Sequence, residues 1–189
     1  ARKNLETQQI NLDTINQKLD EMQAQDIVNE YSSTTLGEKI INFAQQFIGR
    51  TEGDMSSILA AAGLYDAGQW CADFVSYCLQ QNGINVAEHS VSGLIGWGQA
   101  NGTYVQGSEA NETNVKPGDI VVWKGTQGFD SHTGIVTSIY KENGVYYYTT
   151  LEGNMGLSDG VRGVSTRETC RTSTEKLRLD GATGYIQIT

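Results

Sequence analysis

Positive charge is scarce in this chain. Its 189 residues carry 13 Lys and Arg against 22 Asp and Glu, a formal net charge of −9, which argues against nucleic acid or an anionic membrane as a nonspecific partner. Long apolar runs are missing too. No stretch reaches 18 residues, so no membrane span is expected in this chain. Proline is almost absent, one residue against 22 glycines, and the chain reads as rich in turns and loops. It opens on Ala1 without Met and with no visible signal peptide, which leads to the expectation of a trimmed or mature fragment. Cysteine and histidine are sparse at three and two. A cysteine nucleophile would therefore have very few candidates for its base.

What is present is organised around Gly68 to Gly83, GQWCADFVSYCLQQNG. From Cys71 onward, Ala72, Val75, Cys78 and Leu79 recur near helical spacing, and Asn82-Gly83 supplies a stop. The spacing predicts a helix with Cys71 in its first turn, where backbone N–H groups and the positive end of the helix dipole favour a thiolate. Cys78 reads as a buried packing residue. Seven residues of helix separate the two Cα atoms by ~10 Å, beyond the ~7 Å that a disulfide spans between Cα atoms. A Cys78–Cys170 bridge is geometrically possible.

Residues 1–30 differ from the rest. Leu5, Leu12 and Leu19 repeat every seven positions, as do Gln8, Ile15 and Met22, an a/d seam over three heptads. This predicts a coiled-coil stalk that self-associates; the alternative is an amphipathic helix folded back on the domain. Residues 31–37, YSSTTLG, read as a linker, and 38–189 as the main domain. Thr35 and Glu38 fit a capping box. The helix after them carries Ile40, Ala44, Phe47 and Ile48 on one face and ends at Gly49, and a short helical turn is expected within 56–62. His89 lies in a loop-rich stretch, 84–114, and reads as a surface histidine without a chemical role. A short helix over 92–100 would bring Trp97 near the core.

The second half turns to strands. Ile120-Val121-Val122-Trp123 is a continuous apolar run suited to a strand covered on both faces. His132–Tyr140 and Val145–Asn154 flank a turn at Lys141–Gly144 and predict a hairpin. Val161–Arg171 and Gly184–Ile188 are further strand candidates. Helices first and an antiparallel sheet after make an α+β domain. His132 opens one hairpin strand; Glu152 and Asn154 lie near the end of the other and, two apart, are expected on one face. For that face to include His132, facing positions must sum to an even number. This predicts a three-residue loop Glu142-Asn143-Gly144, or else a bulge further along. Cys71, His132 and Glu152 then form a nucleophile, a base and an orienting carboxylate.

GQWCADFVSYCLQQNGI, VKPGDIVVW, SHTGIVTSIY and YYYTTLEGN, in that order, resemble the CHAP family of papain-like cysteine amidases and peptidases, over about residues 37–189. The resemblance implies a papain-like α+β fold with Cys71 as nucleophile, His132 as general base, Glu152 orienting His132, and Asn154 in an auxiliary polar role. It also implies a part for the Cys71 backbone N–H in an oxyanion hole. It implies peptidoglycan as partner, an extracellular or cell-wall location, and acyl transfer at an amide bond. Some CHAP domains bind calcium through acidic residues ahead of the cysteine; here only Asp66 is offered, so no metal or other cofactor is expected. The segment 156–184 is longer than usual for the family. The stalk suggests one module of a larger phage or cell-surface secretion protein. Three other functions are compatible with the chain: a catalytically silent interaction module assembled through the coil, a transglutaminase, and a glutathionylspermidine amidase.

Overall fold

A strand buried on both faces needs a layer on each side of its sheet, and Ile120–Trp123 has both. The computed structural model describes residue 18 and residues 34–65, 68–125, 131–158, 160–167 and 176–188. The compact unit that contains the strands runs from Leu36 to the C-terminus, apart from a unit of residues 1–35. Ile120 and Val122 point into a core beneath the helices, with Phe74, Leu79, Ile135 and Leu151. Val121 points to the opposite face, into a smaller cluster with Val115, Val136, Leu179 and Tyr185, against which Trp123 packs.

Among the described residues there are four helices and seven strands. The helices are α1 (Leu36–Gln45), α2 (Glu52–Ala61), α3 (Cys71–Gln81) and α4 (Val91–Ala100). The strands are β1 (Tyr104–Gln106), β2 (Ile120–Trp123), β3 (His132–Glu142), β4 (Val145–Ser158), β5 (Val161–Thr166), β6 (Leu177–Arg178) and β7 (Gly184–Ile186). They form one sheet in the order β1-β7-β2-β3-β4-β5, with β6 paired to β4 at Tyr147 and Tyr148. Every pairing is antiparallel. This is the α+β class expected from the sequence.

α3 lies over the sheet because its buried residues cover almost every turn: Ala72, Phe74, Val75, Cys78 and Leu79 have no exposed surface. Burying a side chain of the size of Phe74 contributes about 1.5–3 kcal/mol. The approach is close. A Cβ on Gly153 of β4 would sit 2.6 Å from Phe74 Cβ and 2.9 Å from Trp70 Cζ3, so only glycine lets the helix and strand meet at this spacing.

The hairpin resolves the parity question by the second of the two expected routes. Glu142 faces Val145, so the turn is the two residues Asn143 and Gly144, both in the left-handed region at φ 50° and 82°. The three-residue loop does not form. A bulge between Val136 and Ser138 instead changes the sum of facing positions from odd to even. Beyond it Ile135 faces Leu151, and His132 comes to the face that carries Glu152.

Two helical expectations need correction. α1 stops at Gln45, and Gln46, Phe47 and Ile48 tighten into i−3 turns, leaving Ile48 46% exposed rather than in the core face. α2 is longer and starts earlier than a turn within 56–62. Thr51 accepts from the Asp54 N–H, and the Asp54 side chain bonds the Thr51 backbone in return, a capping box that nucleates the helix at Glu52. β5 ends at Thr166 and β7 at Ile186, both shorter than the expected strands. The heptad seam of residues 1–30 lies outside the described residues apart from Lys18, as do linker residues 31–33 and Cys170.

Candidate active site

The first turn of α3 is where the helix layer meets the sheet. Cys71 is there, 2% exposed, and the N-cap position, Trp70, provides no side-chain cap. Cys71 and Cys78 are both free cysteines. Burial pushes the Cys78 thiol well above its ordinary pKa range, which leaves it inert.

Across the seam, the sheet presents His132 at the start of β3. Its Nε2 bonds Glu152 Oε2 at 2.6 Å, and the ring also interacts with the Cys71 side chain. Glu152 has no exposed surface. A buried carboxylate costs several kcal/mol unless it is paired, and this one is richly paired. Thr150 donates its hydroxyl to Oε1, and Arg167 grips both oxygens, Nε to Oε1 at 2.9 Å and Nη2 to Oε2 at 2.8 Å. The His132 ring stacks on Trp123 with centroids 5.8 Å apart and an interplanar angle of 16°, and the Arg167 guanidinium lies 4.8 Å from the centre of the same indole. Gly134, two residues along from His132, leaves room for the acid: a Cβ there would lie 2.5 Å from Glu152 Cγ.

Electrostatics follows from this packing. Burial by itself lowers the His132 pKa, but its bonds to Cys71 and Glu152 outweigh burial and raise it to about 9. Burial by itself raises the Glu152 pKa, but the His132 and Arg167 bonds and charges prevail and hold it below the usual carboxylate range. The pair is an imidazolium and a carboxylate at neutral pH.

Asn154 departs from the expected geometry. Its φ is +60°, and the β4–β5 ladder is irregular between Glu152 and Met155, so strict alternation ends at Gly153. The hydrogen bonds at Asn154 go elsewhere than His132: Nδ2 donates to Gln69 Oε1 at 3.1 Å, and Arg162 donates to its carbonyl at 2.9 Å. Asn154 therefore reaches the site through Gln69. Gln69, Cys71 and Ala72 line an open groove of about 290 Å³, closed on its other side by His89, Ser90 and Ser131. His89 is no plain surface histidine. Its Nδ1 bonds Asp73 Oδ1 at 2.7 Å, and Asp73 is 1% exposed.

Sequence reasoning missed Arg167, Trp123, Thr150 and Gln69. Thr150 carried a signal, since it shares a strand face with Glu152. Trp123 also carried one, because it faces His132 directly across the β2–β3 ladder. Arg167 carried none: it follows a strand whose register shifts twice against β4. Among the described residues no three His, Cys, Asp or Glu side chains gather as metal ligands. Asp66 lies outside them.

Residues 63–154 match the family model described as CHAP domain. No curated protein and no solved structure matches the chain. The matched segment begins two residues after α2 and runs to Asn154, so it includes Cys71, His132 and Glu152 and stops short of Arg167.

The raised His132 pKa has a consequence for stability. Folding increases the ring's affinity for its proton, so this contribution is complete below about pH 6.5, the ordinary imidazole value, and is lost as pH rises through about 9. Glu152 has the opposite sign, contributing above the usual carboxylate range and losing its share as pH falls through its lowered pKa. Thermal melts of wild type and His132→Gln from pH 6 to 10 test the first. The wild-type advantage in Tm should shrink by several degrees, on the order of 5 °C, across that window; a constant difference would contradict the assignment.

Proposed function

We propose that this chain, which carries a CHAP domain, is a peptidoglycan hydrolase that cleaves an amide bond, as an amidase or an endopeptidase, through Cys71, His132 and Glu152. One observation carries the reading. A single imidazole joins the Cys71 side chain on α3 to a fully buried carboxylate on β4.

In the proposed reaction His132 already carries the proton that Cys71 gives up, and the sulfur attacks the scissile carbonyl as the thiolate of that ion pair. A tetrahedral oxyanion forms, for which the Cys71 backbone N–H at the uncapped start of α3 is a donor. The imidazolium then gives its proton to the leaving amine as the C–N bond breaks, leaving a thioester on Cys71. Water, deprotonated by the neutral imidazole, attacks the thioester, releases a carboxylic acid and restores the thiol. Glu152 holds His132 by Nε2 throughout and offsets the charge that the ring acquires, as the acid of a catalytic triad does. Stacking on Trp123 fixes the plane of the ring. Asn154 supports Gln69, whose amide borders the groove beside Cys71.

Substrate, setting and assembly are proposed at the same level. The chain acts on wall peptides outside the cell, as one module of a larger phage or cell-surface secretion protein, and residues 1–30 join copies of it through the heptad seam. Light scattering should find a dimer or trimer that becomes an active monomer when residues 1–30 are removed. A full-length monomer at high concentration would refute the seam.

For the chemistry, release of soluble peptides from purified cell walls is the measure. Cys71→Ala and His132→Ala should each lower the rate by about 10³-fold or more, and the double variant should be little worse than either, since the group acts as a unit. Glu152→Gln should lose less in rate, because an amide still accepts from the ring. It should lose stability as well, because Arg167 is left beside a neutral partner in a site where its side chain is only 18% exposed. A folded Cys71→Ala chain that releases peptides at the wild-type rate would overturn the mechanism.

A further inference from the structure

The groove beside Cys71 has a second histidine that the proposed reaction leaves unused. His89 precedes α4, and its ring is fixed from one side only. Nδ1 donates to Asp73 Oδ1 at 2.7 Å, while 47% of the side chain remains exposed at the rim of the groove. Asp73 belongs to the first turn of α3, two residues after Cys71, and is 1% exposed. A carboxylate buried this deeply is held rigidly, and it holds the imidazole rigidly in turn. The second ring nitrogen, Nε2, has no hydrogen-bond partner among the described residues.

Beyond Cys71 and His89, the polar groups of the described lining are the amide of Gln69 and the hydroxyls of Ser90, Ser92 and Ser131. The nearby carboxylate of Glu88 is already placed, packed against Gly93 in the first turn of α4, where it complements the positive end of that helix. Among the described residues, Lys and Arg are absent from the lining. In a chain of net charge −9, an acidic ligand meets general repulsion and needs a local cation to bind. Among the described lining residues His89 is the one side chain whose ring can carry positive charge, and its Nδ1 lies 2.7 Å from the Asp73 carboxylate.

We infer that His89, oriented by Asp73, is a substrate-binding residue that receives a free carboxylate of the peptide lying in the Cys71 groove. The inference rests on the wall-peptide reading above and adds a preference to it: acidic peptides over the same peptides with their carboxylates amidated. His89 takes no part in bond breaking. It donates Nε2–H to the anion in a charge-assisted bond and sets where the chain lies relative to the thiol.

Binding to the full-length Cys71→Ala chain, measured by calorimetry at pH 6, tests this without turnover. The probes are a muramoyl peptide with free carboxylates and the same peptide as its carboxamides. The free acid should bind about five- to tenfold more tightly. His89→Gln in the same background should bring that ratio to about one with the carboxamide affinity unchanged, and His89→Lys should restore part of it. Equal binding of the two probes, no binding of either, or a preference that survives His89→Gln would each overturn the inference. The two readings fail separately. Loss of the preference with Cys71-dependent hydrolysis intact removes His89 alone, whereas an intact preference with hydrolysis independent of Cys71 removes the proposed reaction and leaves His89 in place.

Discussion

Everything at this site depends on one buried carboxylate. Glu152 has no contact with solvent, and an ionised acid in such surroundings survives only if donors surround it. His132, Thr150 and Arg167 are those donors. Because Arg167 grips both oxygens, the acid stays in one orientation and meets the imidazole along one line. Interactions with Cys71 and with this acid keep the imidazole protonated to about pH 9, and the energetic cost of burying Glu152 is offset by groups of the same candidate site. A lone His–Glu pair would leave one oxygen free to turn. The Arg167 clamp and the shared indole of Trp123 remove that freedom.

The second dependence is on the distance between two layers. Cys71 belongs to the helices and His132 to the sheet, and nothing covalent sets their separation. It is set by α3 resting on β4 at Gly153, and by Gly134 leaving space for Glu152 under His132. An added methyl at either place forces a displacement in a core that has no slack, at about 1–3 kcal/mol by the usual cost of overpacking. Shifts of this kind also separate the Cys71 sulfur from the His132 ring. Packing at these two glycines therefore also sets the spacing on which the proposed reaction relies.

Much of this was legible in the residues. Cys71 in the first turn of a helix, the doubly covered Ile120–Trp123 strand and the α+β order all follow from periodicity. Counting required either a three-residue loop, the simpler expectation, or a bulge further along, because a two-residue Asn143-Gly144 turn alone sends His132 to the wrong face; the bulge near Thr137 is the one that forms. What escaped was of a different physical kind. Asn154 takes a left-handed backbone, so its side chain leaves the face that alternation assigns to it. Ile48 looked like core by spacing, yet the helix ends at Gln45 and tightens into i−3 turns from Gln46 onward, which leaves Ile48 half-exposed. His89 looked like a loop histidine because its partner, Asp73, reads as an ordinary first-turn acid until tertiary packing buries it. Arg167 depends on strand register across two irregularities, which no local pattern encodes.

The central claim is covalent: the acyl half of a wall peptide passes through the sulfur of Cys71. The most direct measurement is intact-protein mass spectrometry of the chain mixed with a muramoyl peptide and quenched in acid within milliseconds to seconds. The account predicts a transient species heavier by the acyl fragment, mapped to the peptide containing Cys71, absent in Cys71→Ala and discharged by hydroxylamine. Turnover without any such adduct in wild type, or an adduct that persists in Cys71→Ala, would contradict it.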